Sequence, residues 1–368
     1  MRVAVRARSR YPAWIMNERY DALSLFSGGL DSLLAHKLIQ RQGLRVLGLH
    51  FVSPFFGKPH LLDHWRATYG VDVVPVDVGE AYVRMLERGP AHGLGSALNP
   101  CVDCKILMLA HAKTLLAQHG ARFLVSGEVV GQRPMSQRRD ALNAIRRDAD
   151  VKNLLLRPLS ALVLEPTPME ESGLVDRSRL LNAAGRGRAK QLALAAEMGI
   201  TEIPTPGGGC RLTEKEPSAR YAPIFRHRPS PSAHDFLLAN TGRQFWSGPH
   251  WLAVGRDQAD NERLAALVRE DDIVLDLSEL PSPLAVLRLH PDARGTVQED
   301  ALVADAAAFA ASYSPKARRA GGPVRVDVTR GGQTRVIEVS PSRNTPANWR
   351  EPTWAEAEAW KKERAPVA

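Results

Sequence analysis

The 368-residue chain predicts an α/β fold, a parallel-sheet domain followed by a smaller α+β domain. Three observations predict it. In the first half, short apolar strands alternate with helical stretches, an order that builds a parallel sheet. A segment rich in Pro and Arg then breaks the periodicity. Beyond it the pattern changes to strands grouped with one long helix and a Gly-Gly hairpin. A hydrophobic content of 44% is enough for a packed core, and a chain this long is ordinarily two domains.

The elements follow in order. Asp21–Phe26 (DALSLF) reads as the first strand, and Leu33, Leu34, Leu38 and Ile39 then recur at helical spacing. Arg45–Val52 and Val71–Val78 are the second and third strands. Cys101–Gln118 is a helix with Ile106, Leu107, Leu109 and Ala110 on its apolar stripe. Phe123–Ser126 is a strand that ends at Gly127-Glu128. Arg179–Met198 reads as a long helical stretch interrupted by Gly185 and Gly187. Thr205–Cys210 (TPGGGC) is irregular, because three glycines follow a proline. The first domain is expected over residues 21–216 and a linker over 217–240. Residues 241–368 make the second domain, with strands at Trp251–Val254 and Ile273–Leu277, a helix over Asp300–Ser312 and a hairpin. In the hairpin, Val324–Thr329 and Thr334–Val339 flank Gly331-Gly332. Residues 1–20 read as an N-terminal extension, with Met16 just before the first strand.

The net charge of +9 is local. Residues 1–20 hold five Arg and one Glu, and residues 133–190 hold twelve Lys/Arg against seven Asp/Glu. Residues 241–368 carry seventeen and eighteen, a net of −1. A basic stretch inside an otherwise balanced chain points to a polyanion, set against a plain solvated face. No run approaches the roughly 18 apolar residues of a membrane span, and the N-terminus lacks the apolar segment of a secretory signal. Three cysteines are too few, and odd in number, for a secreted disulfide scaffold, which points to the reducing cytoplasm.

Chemistry concentrates in two places. Ser27-Gly28-Gly29-Leu30-Asp31-Ser32 lies between a strand and a helix. Its glycines let backbone N–H groups approach an anion, and the helix N-terminus adds dipoles and free donors. The Ser27 and Ser32 hydroxyls complete a phosphate cradle, and the Asp31 carboxylate suits a Mg2+ riding on the phosphates. The other place is the cysteine set. Cys101 and Cys104 form CVDC at a helix start, and Cys210 follows the glycine run. Three chemistries compete for it. One is a three-thiolate 4Fe–4S cluster with an open iron. Another is a persulfide pair with a thiolate of lowered pKa at the helix N-terminus. The third is zinc, which ordinarily takes four ligands, and no histidine has motif spacing near these cysteines.

SGGLDS resembles the signature of the PP-loop ATP pyrophosphatases, whose fold is adenine nucleotide alpha hydrolase-like. SGGLDS, NPCVDC, GEVVGQRPMSQ and TPGGGCRLT, in that order over about residues 21–215, resemble the PP-loop tRNA thiouridylases, most nearly a 2-thiouridylase-like branch. The resemblance implies ATP and Mg2+ as cofactors, tRNA as partner and a sulfide or persulfide carrier as sulfur donor. A pyrimidine carbonyl oxygen would be adenylated and then replaced by sulfur. It implies catalytic roles for Cys104 and Cys210. Those enzymes often carry Asp where this chain has Cys101, so the departure moves the chain towards the three-cysteine, cluster-dependent pattern, with Asp31 beside the phosphates. Ser27, Gly28, Gly29, Asp31 and Ser32 would hold the pyrophosphate end of ATP. The strand end Leu49-His50-Phe51 would offer backbone to adenine, and Gly127 would leave room for the nucleotide. Glu128 and Gln132 are candidates to orient base or adenylate. Arg133, Arg138, Arg139, Arg186, Arg188 and Lys190 suit an RNA backbone. In the second domain VGRDQADNE, ALVADAAAFAASYS and VRVDVTR resemble the NFACT-R type of RNA-binding domain, with Arg256, Lys316, Arg318 and Arg319 as its basic residues. The rivals are an RNA-binding protein whose PP-loop has lost chemistry, a thiolase of small nucleobases and an ammonia-using PP-loop ligase.

Overall fold

The computed structural model describes residues 18–204 and 209–364. The expectations for residues 1–15 and for most of TPGGGC fall outside the described residues. The chain divides between Thr213 and Glu214 into two compact units.

The first unit runs β1 (Ala22–Leu25), α1 (Leu30–Gln40), β2 (Val46–Val52), α2 (Leu62–Tyr69), β3 (Asp72–Asp77), α3 (Gly79–Arg88), α4 (Cys101–Leu115), β4 (Phe123–Ser126), α5 (Arg139–Asp148), β5 (Leu155–Leu156), α6 (Pro168–Glu171) and α7 (Ala189–Glu197). Its strands form one parallel sheet in the order β3-β2-β1-β4-β5. The strand order reverses at β1, whose residues are all buried. Covered on both faces, β1 reads as an unbroken apolar run, as a central parallel strand should. Its one polar residue, Ser24, is satisfied by Nδ1 of the wholly buried His36 on α1, 2.8 Å away.

Burial lowers the His36 pKa from its ordinary 6.5 to about 3. The unfolded chain therefore takes up this proton below pH 6.5 while the folded chain refuses it until about 3. The first unit should lose about 1.4 kcal/mol per pH unit across that window. Acid titration of its unfolding midpoint checks this, and His36→Gln should flatten the slope between pH 6 and 4. A slope unchanged in the variant would contradict the assignment.

Four helices of the first unit, α2, α3, α5 and α6, escape the sequence reading. In α2, Leu62, Trp65 and Tyr69 are buried at i, i+3 and i+7, and Gly70 closes the helix at φ +56°. In α3, Tyr82, Val83 and Leu86 face the core. The long helix expected over 179–198 is a correction, because only Ala189–Glu197 is helical. Ala184 bridges Val130, and the Gly185 N–H donates to the Val130 carbonyl at 2.7 Å, which holds this segment extended against the loop after β4.

The second unit runs α8 (Lys215–His227), α9 (Ala233–Ala239), β6 (Arg243–Ser247), β7 (His250–Val254), α10 (Gln258–Ala266), β8 (Ile273–Leu277), β9 (Ala285–Arg288), α11 (Val297–Ala311), α12 (Pro315–Ala320), β10 (Val324–Arg330), β11 (Gln333–Val339) and α13 (Trp354–Glu363). Its six strands are antiparallel in the order β11-β10-β8-β9-β7-β6. The buried small residues Ala306, Ala307, Ala310 and Ala311 let α11 lie close against this sheet. The expected linker over 217–240 is corrected to α8 and α9. The Pro and Arg that signalled a linker are accommodated because Tyr221, Ile224 and Phe225 are buried, with Phe225 stacked on Trp360 of α13.

Candidate nucleotide site and cysteine centre

The SGGLDS loop leaves the carboxyl end of β1 and opens α1. Gly28 has φ +77°, and a Cβ there would stand 2.1 Å from the Trp65 ring, so the loop is pressed flat against α2. Inside the loop, the Ser32 hydroxyl donates to the Gly29 carbonyl at 2.8 Å and accepts from the Ser27 N–H at 3.2 Å. The Ser27 hydroxyl accepts from the Gly29 N–H at 3.4 Å and lies 3.1 Å from Ser32 Oγ. These bonds hold the turn open at a helix N-terminus, the geometry that receives a phosphate.

Gly127, at the carboxyl end of β4, faces this loop. A Cβ there would lie 2.5 Å from the Asp31 carbonyl oxygen and 2.7 Å from the Ser32 nitrogen. The glycine thus makes room for the loop's own backbone. Gly127→Ala should push the loop aside. We expect a loss of about 1–3 kcal/mol in stability and roughly a hundredfold in nucleotide affinity, measured by calorimetric titration with ATP alongside thermal unfolding. Wild-type affinity in the variant would refute the contact.

Asp31 Oδ2 accepts from Gln132 Nε2 at 3.0 Å, across the crevice from the loop after β4. Asp31 Oδ1 and Gln132 Oε1 are buried without a partner among the described residues. Such oxygens seek a hard cation or an N–H donor. Glu128 is buried and paired with Arg157 at 3.0 Å.

Leu49-His50-Phe51 stands differently from the expectation. The Leu49 carbonyl already accepts from the Phe26 N–H at 2.9 Å. His50 is a buried latch. Its Nε2 accepts from the Lys58 N–H at 2.8 Å, which leaves Nδ1–H to donate to the Phe26 carbonyl at 2.9 Å. Phe51 is buried and meets His111 edge-on, with ring centres 6.1 Å apart.

The fold gathers the cysteines around Tyr82, which is buried with its ring 5.4 Å from Phe55 and 5.1 Å from Phe56. Cys101 and Cys104 open α4, where the Cys104 N–H donates to the Pro100 carbonyl at 2.7 Å. The Cys210 segment is carried in by two backbone bonds, Arg211 N–H to the Phe55 carbonyl (2.9 Å) and Leu98 N–H to the Leu212 carbonyl (3.0 Å). All three cysteines are free and partly buried, and their charges act on one another and on Tyr82. Asn99 Nδ2 donates to Cys101 Sγ at 3.2 Å, and the Thr213 N–H donates to the Cys210 carbonyl at 2.9 Å.

Burial pushes the Cys104 thiol up to about 11 and the Cys210 thiol up to about 12. Burial thus opposes the lowered thiol pKa that the persulfide reading would place at the helix start. Among the described residues no group of three His, Cys, Asp or Glu side chains is arranged around a single metal ion. An iron–sulfur cube distributes its thiolates over separate irons. A donor set of three soft sulfurs fits such a group.

The basic candidates separate on inspection. Arg138 pairs with Asp140, the Arg139 guanidinium donates to the Val163 carbonyl, and Lys190 is held by Asn182. Arg133 and Arg186 are exposed, with no side-chain partner among the described residues, and Arg188 keeps a buried, unpartnered Nε. In the second unit Arg256 is bound to Asp260, which removes it from any free basic patch. Lys316, Arg318 and Arg319 are exposed on α12. Tyr82 and Trp65 were not among the candidates. Nothing in their local sequence marks them, and only packing brings them to the site.

A loop that can receive a phosphate, at the point where a parallel sheet reverses its strand order, defines a nucleotide-binding type of α/β domain. Residues 18–165 match the family described as thiamine biosynthesis protein (ThiI). A tRNA sulfurtransferase of Photorhabdus laumondii is 28% identical over 168 residues, 43% of this chain and 33% of that protein. A probable tRNA sulfurtransferase of Aeropyrum pernix is 32% identical over 165 residues, 43% of this chain and 38% of that protein. The chain therefore spans little more than a third of the length of these curated relatives. The solved U34-tRNA thiolase NcsA from Methanococcus maripaludis, with its 4Fe-4S cluster, aligns over 54% of this chain and 64% of its own at 14% identity. Its TM-score of 0.28 is too low for that likeness to bear on fold or function.

Proposed function

We propose that the chain is an ATP-dependent tRNA sulfurtransferase that replaces a pyrimidine carbonyl oxygen with sulfur. The observation that carries this reading is the presence, in one α/β unit, of a phosphate-receiving loop and three cysteines drawn together from separate elements. The naming of its relatives as tRNA sulfurtransferases supports it.

A pyrimidine carbonyl is a weak electrophile with a poor leaving group. Attack of its oxygen on the α-phosphate of ATP releases pyrophosphate and installs AMP as a good leaving group. Addition of a sulfur nucleophile to the ring carbon then expels AMP. The Ser27–Ser32 loop holds the phosphates, Asp31 with Gln132 supplies oxygens for Mg2+, and Gly127 lets the loop close. Cys101, Cys104 and Cys210 would hold a 4Fe–4S cluster, which would supply a binding site for the sulfur nucleophile. Arg133, Arg186 and Arg188 are the basic side chains that best suit the RNA backbone. No helix of the described residues is long and apolar enough to cross a membrane, in keeping with a cytoplasmic tRNA enzyme.

The finer assignments, to a 2-thiouridylase-like branch and to an NFACT-R-type second unit that grips RNA through Lys316, Arg318 and Arg319, are part of the same proposal. Mass spectrometry of thionucleosides in tRNA from a deletion strain tests it. One thiolated pyrimidine should vanish, and an unchanged profile sinks the tRNA assignment. A colourless, iron-free protein that still thiolates tRNA would replace the cluster with a persulfide on cysteine.

A further inference from the structure

The turn over residues 53–58 follows β2 and is bonded towards both candidate sites of the first unit. It is stiff. The Ser53 N–H donates to the Phe56 carbonyl at 2.9 Å, and Ser53 Oγ accepts from the Phe55 and Phe56 N–H groups at 3.1 and 3.3 Å. A Cβ at Gly57, where φ is +110°, would lie 2.9 Å from the Val52 Cα, so the turn is packed down on the end of β2. On one side, the Phe55 carbonyl accepts at 2.9 Å from the N–H of Arg211, the residue after Cys210. On the other, the Lys58 N–H donates to His50 Nε2 at 2.8 Å, and His50 Nδ1 lies 2.9 Å from the carbonyl of Phe26, one residue before the SGGLDS loop. His50 is buried and meets Trp65 edge-on with ring centres 4.9 Å apart, and Gly28 is pressed against that same indole. Only one tautomer makes both bonds, with Nε2 bare and the proton on Nδ1. An imidazole has no internal torsion. A shift of the Phe26 carbonyl therefore either carries the Lys58 end of the turn with it or breaks a hydrogen bond in a buried site, which is costly.

We infer that His50 is a positioning residue that couples the two sites. With nucleotide on the phosphate loop, the Phe26 carbonyl is held, the turn over 53–58 is fixed through Lys58, and the Cys210 segment is fastened on the Phe55 carbonyl. The inference rests on the nucleotide reading of the SGGLDS loop given above. The link is a contiguous chain of hydrogen bonds and one rigid ring, the kind of network that carries coupling between sites. It passes through backbone groups, so the cysteine side chains and whatever they hold are not part of it. Its consequence is order, with the Cys210 arm of the centre held tightest when ATP is in place to activate the carbonyl.

The test is hydrogen exchange on the full chain, resolved to the Arg211 amide, without nucleotide and with saturating MgATP. Two variants each keep one half of the latch. His50→Asn retains a donor at the position of Nδ1 for Phe26 and removes the acceptor for Lys58. His50→Gln reaches the position of Nε2 and accepts from Lys58, and it leaves the Phe26 carbonyl unserved. In the wild type, MgATP should slow exchange at Arg211 about fivefold or more, as coupled sites typically do. In both variants MgATP should leave that rate unchanged. A merely structural histidine would alter the basal rate and not its response to nucleotide. Slowing that persists in both variants means that the nucleotide protects the segment by another route, and overturns the inference. A wild type that binds MgATP with no change at Arg211 overturns it too. A wild type that binds no MgATP in calorimetric titration overturns the nucleotide reading, and the inference falls with it.

Discussion

Cys104→Ser should abolish sulfur transfer, lowering the rate by a factor on the order of 10³ or more, as loss of a group central to a reaction does. Serine fills nearly the same volume, so the packing around Tyr82 survives. What is lost is a soft, polarizable ligand, which a hydroxyl does not replace. The phosphate loop lies on other elements, and ATP affinity should stay within about twofold, since residues without shared partners act independently. Cys101→Ser and Cys210→Ser should fail in the same way, because the three sulfurs form one centre. Single-turnover thiolation of a tRNA substrate, read beside ATP titration, decides it. Full activity in Cys101→Ser with inactivity in the other two would return the mechanism to a two-cysteine persulfide pair.

Arg288→Met should destabilise the second unit by about 3–5 kcal/mol, as does removal of one member of a buried ion pair. Arg288 is buried on β9. Its guanidinium meets Asp272 at 2.6 and 2.8 Å and Asp235 at 2.7 Å, and it lies over the Trp251 ring at 5.3 Å. Methionine leaves the Asp272 carboxylate buried and unneutralised, while Asp235 keeps Arg269 at 3.1 Å. Burial raises the Asp235 pKa, but Arg288 and Arg269 more than offset it, so this carboxyl titrates below its ordinary range in the native chain. Without Arg288 the buried Asp272 carboxylate loses its cation, so removing its charge should partly restore the variant. Asp272→Asn in the same background should do so at neutral pH. Denaturant unfolding followed by fluorescence checks both, since five of the chain's seven tryptophans lie in this unit. A variant as stable as wild type would show that the network contributes nothing.

The cost of Arg288→Met also shows why composition was a poor guide to the second unit. Its near-neutral charge conceals charges that are spent internally, such as Arg288 on Asp235 and Asp272, and Arg256 and Arg263 on Asp260. The same distinction holds at the candidate site. Arg138, Arg139 and Lys190 looked alike with Arg133 and Arg186 in the sequence, and they separate only when their neighbours are known.

The sequence by itself determined the parallel sheet, the phosphate loop and the identity of the three cysteines. Each of these is written in local chemistry: apolar runs of strand length, glycines between a strand and a helix, and CxxC at a helix start. Tertiary structure decided what those residues touch. It set Gly127 against the Asp31 backbone, turned His50 into a latch, folded the supposed linker into α8 and α9, and placed Tyr82 among the cysteines. It also opposed the lowered thiol pKa that the persulfide reading would place at the helix start, because a helix start is visible in sequence whereas desolvation depends on every residue that packs around the thiol.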